Sequence, residues 1–435
     1  MRRMNTDTPR GVVAAGLPLL VVLLAAAGAC SAPAPEEAPE AAGVTVFEGA
    51  RLIVGDGSDP IESATFVVEE DRFVAVGPAG EVDAPDGAAR VDLTGRTVIP
   101  ALIDTHVHFS TIRAELIENL QRKAYYGVGA AMGLGRDVGD DVYQVRAETI
   151  PGVPRYRHAG RGITMPEPGR SDIPYWVETE EEAREAVREL AEIEVDIVKI
   201  WVDDRGGQFE KMPPEIYGAV IDEAHQHGLR VTAHIFALED AKGLLRAGVD
   251  AFAHGVRDQD VDDEFVELVR ERPDVVLAPN LPSRGVAEDL SWLGGTIPGD
   301  RLAEMQAAST DRPEAQEQFA IQARNLARLN EAGMRIAFGT DGSAGWSPHA
   351  EMADMVAAGM TPHEVIVAAT GNSAEFIGID DAGTVEAGKS ADFVVLEANP
   401  LDDITNTRSI EAVYLRGEAV DRAALSGAWI GGTAP

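Results

Sequence analysis

Two scarcities frame this 435-residue chain: it has a single cysteine, Cys30, and only 37 lysines and arginines against 73 aspartates and glutamates, a formal net charge of −36. One cysteine per chain excludes an intramolecular disulfide. The shortage of basic residues excludes a nucleic-acid-binding protein, which needs a cationic face, and excludes adhesion to an anionic membrane through a basic patch. Acidity of this degree keeps a protein soluble and self-repelling. Hydrophobic residues are not scarce. At 45% of the chain they suffice for a large core, so disorder is not the reading.

The amino terminus carries targeting information and is set apart from fold reasoning. Arg2, Arg3 and Arg10 precede the apolar run "GVVAAGLPLLVVLLAAAGA", which ends at Cys30. With Ala27-Gly28-Ala29 before the cysteine, this segment resembles a bacterial lipoprotein signal, in which the cysteine becomes the lipidated first residue. An uncleaved membrane anchor is the alternative, since the run is nearly long enough to span a bilayer. On either reading the body is exported, with a membrane contact only through this anchor. "SAPAPEEAPEAAG" then reads as a flexible tether, so residues 1–43 form signal and spacer.

The length suits a barrel enzyme with a satellite domain. Residues 44–97 show short alternating strands broken by turns at Asp56-Gly57 and Gly77-Pro78. Residues 376–435 have the same character, so both ends of the chain are expected to build one small composite β-sandwich. Residues 98–375 alternate helices and strands, the mark of a parallel α/β architecture. Thr179 with Glu182 makes a capping box, and Pro213 and Pro214 open another helix. Gly228, Gly248 and Gly333 sit where helix ends need left-handed residues, each followed at once by a strand. The expected fold is a TIM-like (β/α)8 barrel with the small β-sandwich attached.

Chemistry gathers at the strand ends. "VIPALIDTHVHF" ends a buried strand with His106 and His108, which alternate by two and so aim at one spot. "LRVTAH" ends at His234, "VDAFAH" at His254 and "MRIAFGTD" at Asp341, while "VDIVKIWV" carries Lys199 inside an apolar strand. Parallel strands of a barrel all finish on one side and ring a single opening, so these residues converge. Imidazoles and a carboxylate at one spot point to a metal ion, zinc being suited to that ligand set. His225 and His227 share the spacing of two but lie on a helix, where that step turns side chains about 200° apart, so they read as a solvated helix end. His349 and His363 read as surface or loop residues, with His349 near enough to the Asp341 loop to touch a substrate. Lys199 either forms a buried ion pair with Asp203, Asp204 or Asp341, or is a neutral amine that takes up carbon dioxide as a carbamate. His158, Arg136 and Arg161 are further candidates for substrate contact, Arg136 and Arg161 through a substrate carboxylate.

From Val44 to about Asp421 the chain resembles the amidohydrolase superfamily, in its imidazolonepropionase-like and prolidase-like branch. The resemblance rests on "IPALIDTHVH", "DIVKIW", "VTAH", "GVDAFAHG", "FGTDG" and "GTVEAGKSADFVVLEANPLDDI". It implies that His106 and His108 bind the more buried metal and His234 and His254 a second, with carboxylated Lys199 bridging them. Asp341 would bind the first metal and act as general base and acid. The implied activity is hydrolysis, by metal-activated hydroxide, of the C–N amide bond of a small molecule such as a dipeptide or an N-acyl amino acid. The cofactors implied are one or two divalent ions per chain, and carbon dioxide for Lys199. "AHIFALED" and "GVGAAMGLGRD" depart from the usual patterns of relatives, differences that bear on substrate. Two alternatives stay open: a one-metal cyclic amidohydrolase or deaminase with unmodified Lys199, and a non-catalytic metal- or solute-binding lipoprotein. A homo-oligomer is compatible with all three.

Overall fold

The structure, a computed structural model, describes residues 43–430. Cys30, the apolar run before it and the tether lie outside the described residues. Among the described residues no helix is long and apolar enough to cross a membrane.

The two ends of the chain meet in one eight-stranded sheet. Its order runs Glu418–Ala419, Ile410–Leu415, Phe393–Leu396, Thr97–Pro100, Val44–Leu52, Ile61–Glu69, Arg72–Pro78, with Ala89–Asp92 pairing alongside Val44–Leu52. The junction is antiparallel, Val394 opposite Ile99 and Val395 opposite Val98. Phe73 and Phe393 lie four strands apart, about 19 Å in a flat sheet at the usual interstrand spacing, yet their rings are 5.8 Å apart. The sheet therefore curls until its two sides enclose a common core of Phe47, Phe66, Phe73 and Phe393. Hydrogen bonds from Phe73 N–H to the Lys389 carbonyl (2.9 Å) and from Gly388 N–H to the Phe73 carbonyl (2.7 Å) tie the curl shut.

Between these ends lie two parallel sheets. One holds Leu102–Val107, Val128–Gly133 and Arg155–His158; the other holds, in order, Tyr175–Trp176, Ile163–Thr164, Val198–Val202, Val231–Ile235, Ala251–Ala253, Val276–Ala278 and Arg335–Ile336. Backbone hydrogen bonds connect them on both sides. Thr105 N–H donates to the Phe338 carbonyl and Asp341 N–H to the His106 carbonyl (2.9 and 2.8 Å), while Asp196 N–H donates to the His158 carbonyl (3.0 Å). Helices alternate with these strands, giving a TIM-barrel-type α/β fold.

Local signals account for the helices. Thr179 Oγ1 accepts from Glu182 N–H (3.2 Å) and the Glu182 carboxylate accepts from Thr179 N–H (3.1 Å), a complete capping box opening Glu180–Glu192. That helix buries Ala183, Ala186, Val187 and Leu190, a stripe at helical spacing, against the sheet. Gly228, Gly248 and Gly333 have φ of 70°, 99° and 87°, the left-handed conformation that lets each helix stop and the next strand begin. Strand register then sets the positions of functional residues. Lys199 pairs with Thr232 and Trp201 with His234 across Val198–Val202 and Val231–Ile235, so one strand end delivers Trp201 beside the histidine of the next.

Candidate metal centre

His106 and His108, on one face of the strand that begins at Leu102, bring ring centroids within 5.1 Å; His254 stands 5.1 Å from His106, and His234 4.7 Å from His254. Asp341 faces three of these rings. Its Oδ1 lies 3.3 Å from His106 Nε2 and 3.0 Å from His108 Nε2, and its Oδ2 lies 3.5 Å from His254 Nε2. One ligand atom each from His106, His108 and Asp341 lies within 4.8 Å of the others, the dimensions of a metal-binding cluster. Asp341 and His254 hold φ of 50° and 83°, a conformation costly for residues with a Cβ and typical of sites where geometry is imposed for function.

Second contacts orient the rings. His106 Nδ1 meets Asn280 Oδ1 at 3.0 Å, so Nδ1 carries the proton and Nε2 presents a lone pair to the centre. His234 Nε2 meets Asp203 Oδ2 at 3.1 Å. The buried histidines are held neutral, as metal ligands must be: burial lowers His106 well below the ordinary imidazole range and His234 to about 3. Asp341 is pulled the other way. Burial alone would raise its carboxyl, but the His108 hydrogen bond and the neighbouring His106 and Lys199 hold it well below the usual carboxylate range.

Lys199 is fully enclosed, and its Nζ has no hydrogen-bond partner among the described residues. The ion pairs to Asp203, Asp204 or Asp341 are not formed; Asp203 is instead engaged with Arg205 (2.8 Å) and His234. Burial, reinforced by the nearby Arg257 and Arg205 against the pull of Asp341, lowers the Lys199 amine to about 7. An orphaned buried amine beside four imidazoles and a carboxylate is a donor set that fits a divalent metal centre.

The centre forms the floor of a cavity of about 320 Å³ whose walls include Arg136, Glu167, Arg170, Trp201 and Arg205. Gly162 makes room for Trp201: a Cβ there would fall 2.1 Å from the indole. Arg136 lies on this wall. His158 does not reach the cavity. It is fully buried, its Nδ1 accepts from Gly160 N–H, and its ring packs 5.2 Å from Tyr143 of the helix Asp140–Ala147. The alternation of its strand turns it towards that helix. Arg161 is likewise structural: its guanidinium donates to the carbonyls of Ile173 and Pro174 and lies over the Tyr175 ring. His349 is neither surface nor loop. It is buried in the helix Ser347–Ala357, where Nε2 donates to the Tyr126 carbonyl and Nδ1 meets Thr407. His225 pairs with Asp250 at the helix end, and His227 approaches Glu223; His363 is half-buried.

Residues 97–420 match the family model described as the Amidohydrolase family. This chain belongs to the amidohydrolase family. Among its relatives, the ochratoxinase of Aspergillus niger is 27% identical over 430 residues, covering 85% of this chain and 84% of the relative. The imidazolonepropionase of Deinococcus radiodurans is 27% identical over 388 residues, covering 82% and 92%. A solved structure of a prolidase-like protein from Bifidobacterium longum superposes with a TM-score of 0.72 at 29% identity, covering 88% of this chain and 98% of that one. As a member of this amidohydrolase family the protein is a hydrolase acting on carbon–nitrogen bonds, with a site built for metal binding. Asn280, Trp201, Glu167 and Arg205 were not singled out by sequence patterns. Each lies at or just beyond the carboxyl end of a parallel strand, which is the one signal that could have found them.

Proposed function

We propose that this amidohydrolase is an exported, metal-dependent enzyme cleaving the amide bond of a small substrate, a dipeptide or an N-acyl amino acid. The observation that carries this reading is the approach of His106, His108 and His254 to the one carboxylate of Asp341 at the floor of a cavity. The two parallel sheets that bear these residues are read as parts of one closed (β/α)8 barrel spanning residues 98–375. The curled sheet of residues 44–97 and 376–435 is its composite β-sandwich. His106, His108 and Asp341 would hold one divalent ion, zinc by ligand chemistry, with His234 and His254 for a second; such an ion supplies Lewis-acid polarisation and lowers the pKa of water.

The chain's own residues do the rest. Asp341 accepts a proton from the attacking water and returns it to the leaving nitrogen. Its pull below the usual carboxylate range keeps it ionised and ready to accept. Lys199, lowered to about 7 and without a hydrogen-bond partner among the described residues, attacks carbon dioxide through its neutral form; an N–C bond forms, a proton is released, and the resulting carbamate is an anionic ligand able to bridge two ions. Arg136, exposed on the cavity wall, pairs with a substrate carboxylate. Trp201 and Pro174 supply the apolar part of a wall that is otherwise charged, against which the uncharged part of a substrate can pack. Cys30 is proposed as the lipid attachment point, with no other membrane contact and no nucleic-acid partner; a homo-oligomer is compatible with this arrangement.

One observation favours a second reading, a one-metal cyclic amidohydrolase or deaminase. Only His106, His108 and Asp341 gather closely enough to form a ligand cluster among the described residues. Metal content per chain, measured on protein made with added zinc and bicarbonate beside Lys199→Ala, separates the two. Two ions falling to one or fewer, with chelator-sensitive turnover of N-acyl amino acids, supports the bridged site. One ion in both proteins overturns it in favour of the one-metal reading.

A further inference from the structure

A chain of alternating charges runs from a metal-ligand candidate to the cavity wall. His234 Nε2 faces Asp203 Oδ2 at 3.1 Å, and Arg205 Nη1 reaches the same oxygen at 2.8 Å. Arg205 Nε donates to Glu167 Oε1 at 2.9 Å, and the other Glu167 oxygen accepts from Arg170 at 2.6 Å. Apart from Arg170, which is half exposed, the members of this chain are largely buried. The side chains of Asp203, Arg205 and Glu167 are 11%, 13% and 4% exposed. Arg205 also holds φ of 55°, with its own N–H donating to Asp203 Oδ1 at 3.0 Å, so the turn after the strand Val198–Val202 is locked onto the carboxylate it carries.

Donor and acceptor logic assigns the protons. An ionised carboxylate only accepts and a guanidinium only donates. His234 Nε2 lies 3.1 Å from Asp203 Oδ2 and 3.2 Å from Arg205 Nη1; Arg205 already donates to Asp203, and the full negative charge of the carboxylate favours a His234 Nε2–H donated to it over a lone pair turned to Arg205. With Nε2 committed in this way, Nδ1 is the only nitrogen left on His234 with a lone pair. The opposite arrangement holds at His106, where Asn280 takes Nδ1 and leaves Nε2. The two imidazoles thus present different nitrogens, each chosen by an oxygen behind the ring.

Resting on the metal-dependent reading above, we propose that Asp203 and Arg205 are positioning residues that fix His234 as the Nε2–H tautomer, so that it ligates through Nδ1. Asp203 selects the nitrogen; Arg205, anchored on Glu167, keeps the carboxylate aimed at it. Neither is a ligand of the metal in this proposal.

The test combines tautomer and metal affinity. Two-bond 1H–15N correlation spectra of 15N-histidine-labelled, metal-free protein report the His234 tautomer directly, with His234→Gln identifying its signals. The wild type is expected as Nε2–H, and Asp203→Ala as a mixture or as Nδ1–H. Asp203→Asn, whose amide oxygen still accepts, restores Nε2–H. Zinc titration should show the ion that depends on His234 weakened about 10- to 100-fold in Asp203→Ala, the usual cost of losing such a partner, and nearly normal in Asp203→Asn. Circular dichroism and a retained His106–His108–Asp341 ion would show that the variant is folded. His234 as Nδ1–H in the wild type, or undiminished zinc affinity in a folded Asp203→Ala, would overturn the proposal. Wild-type protein that binds no zinc at all would instead overturn the metal-dependent reading, while the tautomer measurement still decides the role of Asp203.

Discussion

Replacing Lys123 with methionine would remove an ammonium group from a place where it and its partner Asp104 are both wholly enclosed. Lys123 Nζ donates to Asp104 Oδ2 (2.7 Å), Ser347 Oγ (2.9 Å) and Thr340 Oγ1 (3.1 Å). Asp104 in turn accepts from the N–H groups of Thr340 (3.0 Å) and His106 (3.3 Å) and from the Thr340 hydroxyl (2.8 Å). The pair thus ties the strand bearing His106 to the residue before Asp341. Breaking a buried pair by removing one partner costs about 3–5 kcal/mol, because a charge is left uncompensated. The three hydrogen bonds Asp104 keeps place the expected loss near the lower end, about 3 kcal/mol. Urea unfolding with an unchanged slope should report it as a lower midpoint. The double variant Asp104→Asn/Lys123→Met leaves no stranded charge and should recover part of the loss, a coupling of about 1–3 kcal/mol. Turnover should fall more than tenfold in the single variant, because Thr340 carries Asp341. A Lys123→Met protein within about 1 kcal/mol of wild type, or a double variant less stable than the sum of the singles, would refute this account of the clamp.

Other outcomes follow from the same geometry. Asp341→Asn should lower turnover by about 10²-fold or more, the usual contribution of a positioned proton acceptor, with the unfolding midpoint maintained; near-normal turnover would remove Asp341 from the proton-handling role. Lys199→Met should leave metal-free stability unchanged or higher, since the amine it replaces is buried without a partner, while metal content and activity fall; a marked loss of stability would reveal a structural lysine. Asp354, enclosed near Arg284, has its carboxyl raised to about 7, chiefly by burial. The folded state therefore holds this proton more tightly than the unfolded one, and the site's contribution to stability declines as pH rises from about 4 to about 7. Asp354→Asn should flatten that decline in urea midpoints measured across the window, and an unaltered profile would exclude the site as its source. Gly162→Ala should displace Trp201 and destabilise by about 1–3 kcal/mol, detectable in tryptophan fluorescence and unfolding.

Much of the fold is written in local pattern. The Thr179–Glu182 capping box, the left-handed Gly228, Gly248 and Gly333, and the alternation of apolar strands with helices each act over a few residues, where backbone chemistry leaves little choice. The opposite holds for His158 and His349. Both sit in apolar surroundings that sequence cannot orient, because which face of a short strand or helix looks inward depends on what packs against it. Tyr143 claims His158, and Thr407 and the Tyr126 carbonyl claim His349, from segments distant in the chain.

By itself the sequence determined which chemistry is available: four histidines, a lysine and an aspartate at the carboxyl ends of parallel strands, in a strongly acidic chain without a second cysteine. Only the tertiary structure decided how each group is used. It left Lys199 without an acidic partner, gave His234 and His106 different oxygens to lean on, and joined Asp203, Arg205 and Glu167 behind the site. The physical reason is that strand ends set where a side chain begins, whereas its proton, charge and direction are set by contacts that only the closed fold brings within hydrogen-bonding distance.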